Sequence, residues 1–310
     1  MNVVKKVSIV IINWKAYQFT IECIRSIYKS SYPNFEIIIV DNASNDGSSE
    51  KIKTEFPNLC LIQNKTNLGF ASGNNVGIVE ALSAGSDYVL ILNNDTIIKN
   101  DLIELLVNAA EQDNAIGVTT AKIYFDGNDF KIWYAGGEFI KWQTEGRHIG
   151  FGKFDDPRWN YRRNVSFVSG CCMLVKKEVV EKIGMFDERF FAYCEDVDWC
   201  LRIIKAGYVL VYVPEAVVFH KVSSSFKLGI SNKIGKRSPL AYYLNVRNRF
   251  ILIKKHLNGS SYLISFLFLI IKYFLKYIIG FFLLCRFKEL LMVLKGFADG
   301  IKMSPSDETL

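Results

Sequence analysis

The first 125 residues alternate between short apolar runs and longer stretches in which apolar residues recur every three or four positions. The apolar runs are rich in Ile, Val and Leu and are bounded by polar residues, as in strands buried on both faces. They predict strands at 7–13, 35–42, 59–64, 87–95 and 117–125. The stretches between them predict helices at Tyr17–Ser30, Asp46–Phe56, Ala71–Gly85 and Asn100–Glu111. Strand–helix alternation predicts an α/β fold with a largely parallel sheet flanked by helices.

The pattern changes after residue 125. The sequence IWYAGGEFI predicts a hairpin, and 141–163, rich in Gly, Trp and Arg, predicts a loop. Strand character returns in VSFVSGCCMLVKK, CEDVDWCLRIIKAG has helical spacing, and YVLVYVPEAVVFHK predicts two strands separated by Pro214. From Pro239 onward the spacing is helical. We therefore predict an α/β domain over 1–237 and a helical extension over 238–310.

Polar side chains follow four of the predicted strands: Asn13, Asp41 with Asn42, Asn64, and the run from Asn93 to Asp95. One Asn or Asp in such a position usually caps a turn or a helix. Ligands of parallel α/β sheets bind beyond the carboxyl ends of the strands, however. Four polar strand ends together therefore favour a site for a polar ligand.

The formal net charge of +7 favours an anionic partner, such as a phosphate ligand or an acidic membrane surface. No dense basic run with interleaved aromatic residues indicates nucleic acid. The seven cysteines are odd in number and form no C-x-x-C, so we expect reduced, mostly buried thiols. The first apolar run is interrupted by Asn13, which is unlike a signal peptide, so a cytoplasmic location is expected.

The glycine-rich phosphate motifs are missing after the first strand, where NWKAYQFT stands instead. If a phosphate ligand binds here, another positive group must neutralise it. A divalent cation held by one or two carboxylates and by substrate phosphate oxygens is the usual substitute. We therefore predict that Asp95, with Asn94 as a neutral neighbour, binds Mg²⁺ or Mn²⁺.

The segment VSIVIINWKAYQFTIECIRSIYKSSYPNFEIIIVDNASNDGS resembles the opening of family 2 glycosyltransferases, which have the GT-A fold. NLGFASGNNVG, ILNNDT, FDERFFAYCEDVDWCLR and VFH continue the resemblance in order, over 7–220. The Asn-Trp after the first strand and the Asn-Asn-Asp motif resemble the rhamnosyltransferase-like branch. The resemblance implies a donor half at about 1–125 and an acceptor half at about 126–237. It also implies inverting sugar transfer from a nucleoside diphosphate to an acceptor hydroxyl.

The resemblance implies nucleotide-sugar contacts at the strand ends and at the loop before the third helix. The matching positions are Ile12, Asn13, Asp41, Asn67, Gly69, Asn74, Asn94 and Asp95. Asp41 matches the carboxylate that accepts a hydrogen bond from the nucleobase, although it also suits a turn cap. Asp95 matches the metal ligand, and His220 is the candidate second ligand. A lone histidine at a strand end is otherwise a capping or surface residue.

The resemblance implies that YCEDVDWCLR supplies the base that deprotonates the acceptor. Asp196 is the first choice and Asp198 the second, with Glu195 in support. An acidic residue at a helix N-terminus also serves as a cap, and this alternative stays open. Further on, Lys233, Lys236 and Arg237 either fold over the diphosphate or form a solvated loop. Arg247 in YYLNVRNRF either contacts phosphate or lines a helix face.

The segment from Ser261 to Cys285 is long enough to span a bilayer, but Lys272 and Lys276 lie near its middle. With Ser265 they form a narrow polar stripe, as in a helix that lies in the membrane interface with lysines reaching the head groups. A helix buried in a homo-oligomer interface is the alternative. The first interpretation places the protein peripherally on the inner face of the cell membrane.

The resemblance thus implies a glycosyltransferase of surface polysaccharide synthesis. The expected donor is dTDP-L-rhamnose, and the acceptor is a saccharide or a polyprenyl-linked saccharide. A hexosyl or N-acetylhexosaminyl transferase is the alternative enzyme. A non-catalytic subunit that binds nucleotide or lipid is the alternative outside catalysis, although Asp95, Asp196 and His220 at the motif positions argue against it.

Overall fold

The computed structural model describes residues 4–127, 130–221 and 237–304. Within them the strands are β1 (Val7–Asn13), β2 (Phe35–Asp41), β3 (Cys60–Gln63), β4 (Tyr88–Leu92), β5 (Thr96–Ile98), β6 (Ile116–Phe125), β7 (Ile132–Tyr134), β8 (Gly137–Ile140), β9 (Glu145–His148), β10 (Arg163–Val165), β11 (Cys172–Lys176) and β12 (Val209–His220). The α-helices are α1 (Tyr17–Ile27), α2 (Ser48–Glu55), α3 (Gly69–Ser83), α4 (Leu102–Ala110), α5 (Lys177–Ile183), α6 (Glu195–Lys205), α7 (Pro239–His256), α8 (Gly259–Tyr273), α9 (Gly280–Leu283) and α10 (Phe287–Lys302). A π-helical segment, Phe274–Ile279, joins α8 to α9.

Ten strands form one mixed sheet in the described residues, with the central order β10-β12-β6-β11-β4-β1-β2-β3. The half that contains β3, β2, β1 and β4 is parallel. The antiparallel strand β11 joins it to the parallel pair β6 and β12. This mixed sheet flanked by helices, with a helical C-terminal region, confirms the predicted fold class.

Two glycines bring α3 unusually close to the parallel half of the sheet. A β-carbon on Gly77 would lie 2.3 Å from Cγ1 of Val10, and one on Gly73 would lie 3.0 Å from Cδ1 of Ile12. Any larger residue at Gly77 would therefore push the helix off β1. The close packing keeps the N-terminal end of α3 next to the carboxyl ends of the strands.

Three local predictions after residue 125 were wrong. IWYAGGEFI is not a hairpin, because β7 pairs with β6 whereas β8 pairs with β9. The predicted loop 141–163 contains β9, which supplies the partner that β8 needs for its backbone hydrogen bonds. The two strands expected around Pro214 are one strand, β12, with a shift in register between Val213 and Val217. A proline is tolerated there because a bulge removes the need for its N–H.

Helix α7 belongs to the same hydrophobic core as the sheet, through its buried residues Ile251 and Leu252. A second cluster lies between α7 and the helices that follow it, and it includes Tyr242, Phe250 and Phe281. The predicted boundary at residue 237 therefore precedes a helix that the sheet domain uses for packing. The division into 1–237 and 238–310 stays a prediction.

The polar stripe of α8 faces the protein. Ser265 is fully buried and donates to the carbonyl of Lys141 at 3.0 Å, and Nζ of Lys272 lies 2.9 Å from Oε2 of Glu145. The expectation that Lys272 reaches lipid head groups was wrong, because a partly buried carboxylate on β9 is its partner. The apolar face of α8 and of the π-helical segment points the other way, and it exposes Leu263, Leu275 and other apolar side chains.

Candidate active site

The carboxyl ends of β1 and β2 carry a closed hydrogen-bond network. Asn13 and Asp41 are register partners, and both are buried. Nδ2 of Asn13 donates to Oδ1 of Asp41 at 2.7 Å, and the hydroxyl and backbone N–H of Ser44 also donate to the Asp41 carboxylate. Neutral donors thus satisfy part of this carboxylate, as a buried anion requires. This network is the first part of the edge at which polar residues from four strand ends were predicted to converge.

Thr20 links this network to the loop after β4. Its hydroxyl donates to Oδ1 of Asn13 at 2.7 Å and accepts from Nδ2 of Asn94 at 2.9 Å. The link fixes the orientation of the Asn13 amide, so that its NH₂ group faces Asp41. Thr20 was not among the predicted site residues, since a buried Thr in a helix shows no motif.

Asn42 organises the loop that enters α3. Its amide nitrogen donates to Oδ1 of Asn67 at 3.0 Å and to the carbonyl of Gly69 at 2.9 Å. Its own oxygen accepts from Nδ2 of Asn64 and from the backbone N–H of Leu68, both at 3.0 Å. The predicted residues Asn67 and Gly69 therefore lie together beside the end of β2, and Asn67 is exposed to solvent.

Gly69 packs directly against the segment that precedes the predicted base. It has a φ of +77°, and a β-carbon there would lie 2.5 Å from the carbonyl oxygen of Phe191. That carbonyl accepts from the backbone N–H groups of Phe70 and Ala71, at 2.6 and 3.1 Å, and so caps the N-terminus of α3. Asn74, one turn further, is buried and donates to the carbonyl of Phe70 within the helix.

Asp95 and His220 lie together at the same edge. Nε2 of His220 is 3.0 Å from Oδ1 of Asp95, and both side chains are buried. The strand pairing of β5 with β12 places His220 opposite Thr96, which explains the proximity. The ring of Trp133 stands perpendicular to that of His220, with 4.6 Å between the centroids, and so fixes the imidazole from one side.

This pair fits the protein part of a site for a divalent cation. A carboxylate oxygen and an imidazole nitrogen are ligands that Mn²⁺ accepts, and Asp95 with phosphate oxygens suits Mg²⁺. The part of the chain that the structure describes contains no group of three or more His, Cys, Asp or Glu side chains placed to hold a metal. Substrate oxygens and water would therefore complete the coordination.

The three acidic residues at the start of α6 have different environments. Asp198 is fully buried and is bound by Arg202, Lys255 and His256 at 2.9, 2.7 and 2.8 Å. Burial alone raises the pKa of Asp198, but the His256 hydrogen bond and the charges of Arg202 and Lys255 outweigh it and hold that pKa below its usual value. Asp198 is therefore a permanent anion that holds α6 to α7.

Asp196 is partly exposed and accepts hydrogen bonds only from backbone N–H groups among the contacts described. Oδ2 accepts from Gly170 at 3.1 Å and Oδ1 accepts from Val197 at 2.8 Å. Removal from water raises the pKa of Asp196 to about 6, partly offset by these two hydrogen bonds. Cys171 follows Gly170, and its carbonyl accepts from the N–H of Asn93. These two bonds bring Asp196 close to the loop after β4.

Glu195 is buried, and its Oε2 has no hydrogen-bond partner among the described residues. Burial, reinforced by the neighbouring charge of Asp196, raises the pKa of Glu195 well above its ordinary value. Glu195 therefore loses its proton less readily than an ordinary Glu, whereas the pKa of Asp196 is about 6. Such a division between adjacent carboxyl groups is common in sites of acid–base chemistry.

Arg247 is buried behind the site. Its guanidinium donates to the carbonyls of Arg189 and Phe190, at 2.6 and 3.1 Å, and to the side chain of Asn248. A role of Arg247 in phosphate binding stays a prediction, and these contacts use much of its donor capacity. Lys233 and Lys236, expected to fold over the diphosphate, lie outside the described residues. Asn248 was missed, because one buried amide in a helix has no sequence pattern.

The model of glycosyl transferase family 2 matches residues 8–184, more than half of the chain. The chain therefore belongs to glycosyl transferase family 2, and it is a glycosyltransferase. The family predicted from the ordered motifs is confirmed.

Similar proteins include rhamnosyltransferases. The dTDP-rhamnosyl transferase RfbF of Shigella flexneri is 27% identical over 72% of this chain and 72% of its own. The N-acetylglucosaminyl-diphospho-decaprenol L-rhamnosyltransferase of Mycobacterium tuberculosis is 32% identical over 61% of this chain and 67% of its own. Among solved structures, the mannosyltransferase PcManGT of Pyrobaculum calidifontis, in complex with GDP-Man and Mn²⁺, has a TM-score of 0.55 at 15% identity and covers 97% of this chain and 76% of its own. That likeness supports the GT-A fold.

Proposed function

We propose that this protein transfers a sugar, with inversion, from a nucleoside diphosphate to an acceptor hydroxyl, with Asp196 as the general base. The acceptor O–H gives its proton to the Asp196 carboxylate. The acceptor oxygen forms a bond to the anomeric carbon while the bond from that carbon to the diphosphate oxygen breaks. The products are the glycoside and the nucleoside diphosphate, and no covalent enzyme intermediate forms.

The contrast between Asp196 and Asp198 carries this assignment. A base must reach the substrate and must lose its proton near the working pH. Asp196 is partly exposed and has a pKa of about 6. Asp198 is fully buried, pairs with Arg202 and Lys255 and lies 2.8 Å from Nε2 of His256. These differences support Asp196 rather than Asp198 as the base.

The donor side is proposed at the edge formed by Asn13, Asp41, Asn67, Gly69 and Asn94. A carboxylate such as Asp41 accepts well from the imide N–H of thymine or uracil. Asp95 and His220 would hold the cation, Mg²⁺ or Mn²⁺, and Ile12 and Asn74 would line the nucleoside end. When bound, the cation supplies positive charge to the leaving diphosphate. Asp95 and His220 themselves keep two ligand atoms together before the donor arrives.

We infer L-rhamnose as the donated sugar and dTDP as its carrier. The similarity to two rhamnosyltransferases and the Asn-Asn-Asp form of the motif support this choice. One of those relatives acts, by its name, on a decaprenol-linked substrate, which supports a polyprenyl-linked acceptor for this chain. A hexosyl or N-acetylhexosaminyl donor is the alternative, since PcManGT of the same fold is a mannosyltransferase.

We further propose that the C-terminal helices rest on an anionic membrane surface on the cytoplasmic side. In the described residues one helical stretch, Gly259–Leu283, is long and apolar enough to span a membrane. Between 239 and 304 there are ten Lys and Arg residues but only two acidic residues. Both of these have partners, since Glu289 pairs with Arg286 and Asp299 accepts from Tyr243. An apolar surface with surplus positive charge suits anionic lipid better than it suits a second copy of this chain, because that copy would carry the same positive charge.

The experiment that tests the function is release of nucleoside diphosphate from thymidine-, uridine- and guanosine-linked sugars, with a lipid-linked N-acetylglucosamine acceptor. We expect release from dTDP-L-rhamnose, with Asp196→Asn lowering the rate about 100-fold or more while nucleotide binding is retained. Asp46→Asn, an exposed acid in the loop before α2, is the matched control. Transfer by Asp196→Asn at the wild-type rate would refute the base assignment. Release from another donor alone would refute the rhamnosyl assignment and leave the base intact.

A further inference from the structure

The segment just before the proposed base, residues 190–194, has an unusual backbone conformation. Phe191, Tyr193 and Cys194 have φ values of 61, 72 and 75°. None of them is Gly, so each is in a region that side chains disfavour. Such a segment persists only where surrounding contacts hold it, and such conformations are concentrated at functional sites. We call residues 190–194 the pre-α6 turn.

Asn248 of α7 holds the pre-α6 turn from behind. Its side chain is fully buried. Its amide nitrogen lies 2.9 Å from the carbonyl of Phe190, 2.8 Å from that of Ala192 and 2.7 Å from that of Tyr193. Its amide oxygen accepts from Nε of Arg247 at 2.9 Å, which fixes the NH₂ group toward the turn. The two N–H donors of this amide are thus shared among three carbonyls of the turn. The Phe190 carbonyl also accepts from the backbone N–H of Ala192 and from Arg247.

The pre-α6 turn connects both substrate sides of the proposed site. Its last residue, Cys194, is the N-cap of α6, so Glu195 and Asp196 take their positions from it. Its Phe191 carbonyl caps α3, beside Gly69. A displacement of the turn would therefore move the base relative to the donor. Displacements of about 1 Å in an active site cost about 100-fold in rate.

We infer that Asn248 is a positioning residue for the transfer reaction. Its amide holds the pre-α6 turn in the conformation that sets Asp196 against the acceptor. This inference rests on the proposed function of Asp196. Asn248 touches no reacting atom in this arrangement, because its contacts are backbone carbonyls and Arg247, so its effect is on rate and on the environment of Asp196.

The test compares Asn248→Leu and Asn248→Ser with wild type. The leucine has nearly the same size and removes the donors without adding a charge, and the serine keeps one shorter donor. Asn245→Ala is the matched control, since among the described residues the Asn245 amide bonds only the Ala241 carbonyl of its own helix turn. We measure kcat, KM for dTDP-L-rhamnose, the pH profile of kcat, dTDP binding by calorimetry and the thermal midpoint.

We expect both Asn248 variants to lower kcat about 10- to 100-fold, with KM and dTDP binding within about threefold of wild type. A looser turn admits water to Asp196, so the acidic limb of the pH profile should move below pH 6, toward the ordinary pKa of Asp. Asn245→Ala should match wild type in both. A lower thermal midpoint with unchanged kcat and unchanged pH limb would refute the inference, because Asn248 would then only support the fold.

A second measurement separates this inference from the proposed function. The titration of the Asp196 carboxyl can be followed by ¹³C NMR in wild type and in the Asn248 variants, with no substrate present. If Asp196→Asn keeps full transfer activity, the proposed base is wrong. The NMR titration then decides on Asn248 by itself: a lower pKa of Asp196 in the variants supports positioning, and an unchanged pKa refutes it.

Discussion

Nε2 of His220 lies 3.0 Å from Oδ1 of Asp95, although 125 residues separate them along the chain. The contact exists because β12 runs antiparallel to β5 and ends opposite Thr96. Both groups are buried. A buried carboxylate and imidazole in contact at a polar sheet edge indicate a pair that binds a cation or shares a proton.

Removal of either member should weaken metal binding. We expect Asp95→Asn and His220→Gln to lower Mn²⁺ affinity about tenfold or more, measured by electron paramagnetic resonance in the presence of dTDP. His148→Gln is the control, because His148 packs against Trp133 as His220 does but makes its nitrogen contact with the Trp133 carbonyl. Equal Mn²⁺ binding by wild type and both variants would mean that the cation, if used, is held elsewhere.

The transfer rate should depend on pH through Asp196. Its folded-state pKa of about 6 lies above its ordinary value because it is largely removed from water. The base works only when ionised, so kcat/KM should fall about tenfold for each pH unit below about 6 and level off above it. Stability has the opposite sign, since a raised acidic pKa makes the folded state less stable as pH rises from about 4 to about 6. A profile with no acidic limb between pH 5 and 7 would contradict the assignment.

Gly69 should tolerate no β-carbon. Gly69→Ala places a methyl group 2.5 Å from the Phe191 carbonyl, at a φ of +77°. Gly85→Ala is a matched control with the same φ and open space around the position. We expect Gly85→Ala to cost about 1 kcal/mol, from the backbone alone, and Gly69→Ala to cost clearly more and to weaken dTDP binding. Equal losses in the free energy of unfolding, measured with urea, would show that the pre-α6 turn moves aside without destabilising the protein.

Glu145 should stabilise the junction between β9 and α8. Its carboxylate pairs with Lys272 at 2.9 Å and with Arg249 at 3.2 Å. Glu145→Gln leaves both cations without that anion, and we expect a loss of about 1–3 kcal/mol in the free energy of unfolding. Glu138→Gln on β8 removes an exposed pair with Arg147 and should cost less than about 0.5 kcal/mol.

The effect of Glu145→Gln should also depend on pH. Burial raises the pKa of Glu145, but Arg249 and Lys272 outweigh burial and lower it to about 2. A lowered folded-state pKa stabilises the protein above the unfolded pKa of about 4.5, and this contribution is lost as pH falls toward about 2. The difference between Glu145→Gln and wild type should therefore shrink below pH 4.5. A difference that is constant between pH 7 and 3 would point to lost packing instead.

The exposed face of the C-terminal helices should carry lipid binding. Leu275 is 59% exposed on the π-helical segment, and Val79 is 51% exposed on α3. We expect Leu275→Glu to reduce flotation with vesicles that contain phosphatidylglycerol about tenfold, from lost apolar transfer and added like charge. Val79→Glu should float like wild type. Wild-type protein that stays at the bottom with anionic vesicles would remove the membrane assignment, and a dimer in solution would then favour the subunit interface.

Much of the donor edge followed from strand periodicity and one rule about parallel sheets. The side chains of Asn13, Asp41 and Asn64 each come directly at or after a run of buried apolar residues, so their common edge was predictable. Asp95 and His220 were paired through their motif positions and not through geometry. The structure then placed them in contact through the β5–β12 pairing.

Other features depend on contacts between distant segments. Asp196 and Asp198 both lie in the first turn of α6, and the sequence shows two equivalent carboxylates there. Only the packing of α7 gives Asp198 its partners Lys255 and His256 and leaves Asp196 for backbone donors. The direction of the α8 stripe was misjudged for the same reason, because its partner Glu145 lies on a strand that was predicted as a loop.

The sequence by itself determined the order of strands and helices, the family, and the residue types at the sheet edge. These depend on local periodicity and on motifs, which a linear chain carries in full. The tertiary structure decided which carboxylate of α6 is buried against Arg202 and Lys255, which helix face meets solvent, and which contacts Asn248 and Thr20 make. Those properties are set by burial and by partners far away in the chain. No local pattern records them, because a side chain's charge state and orientation depend on what packs against it.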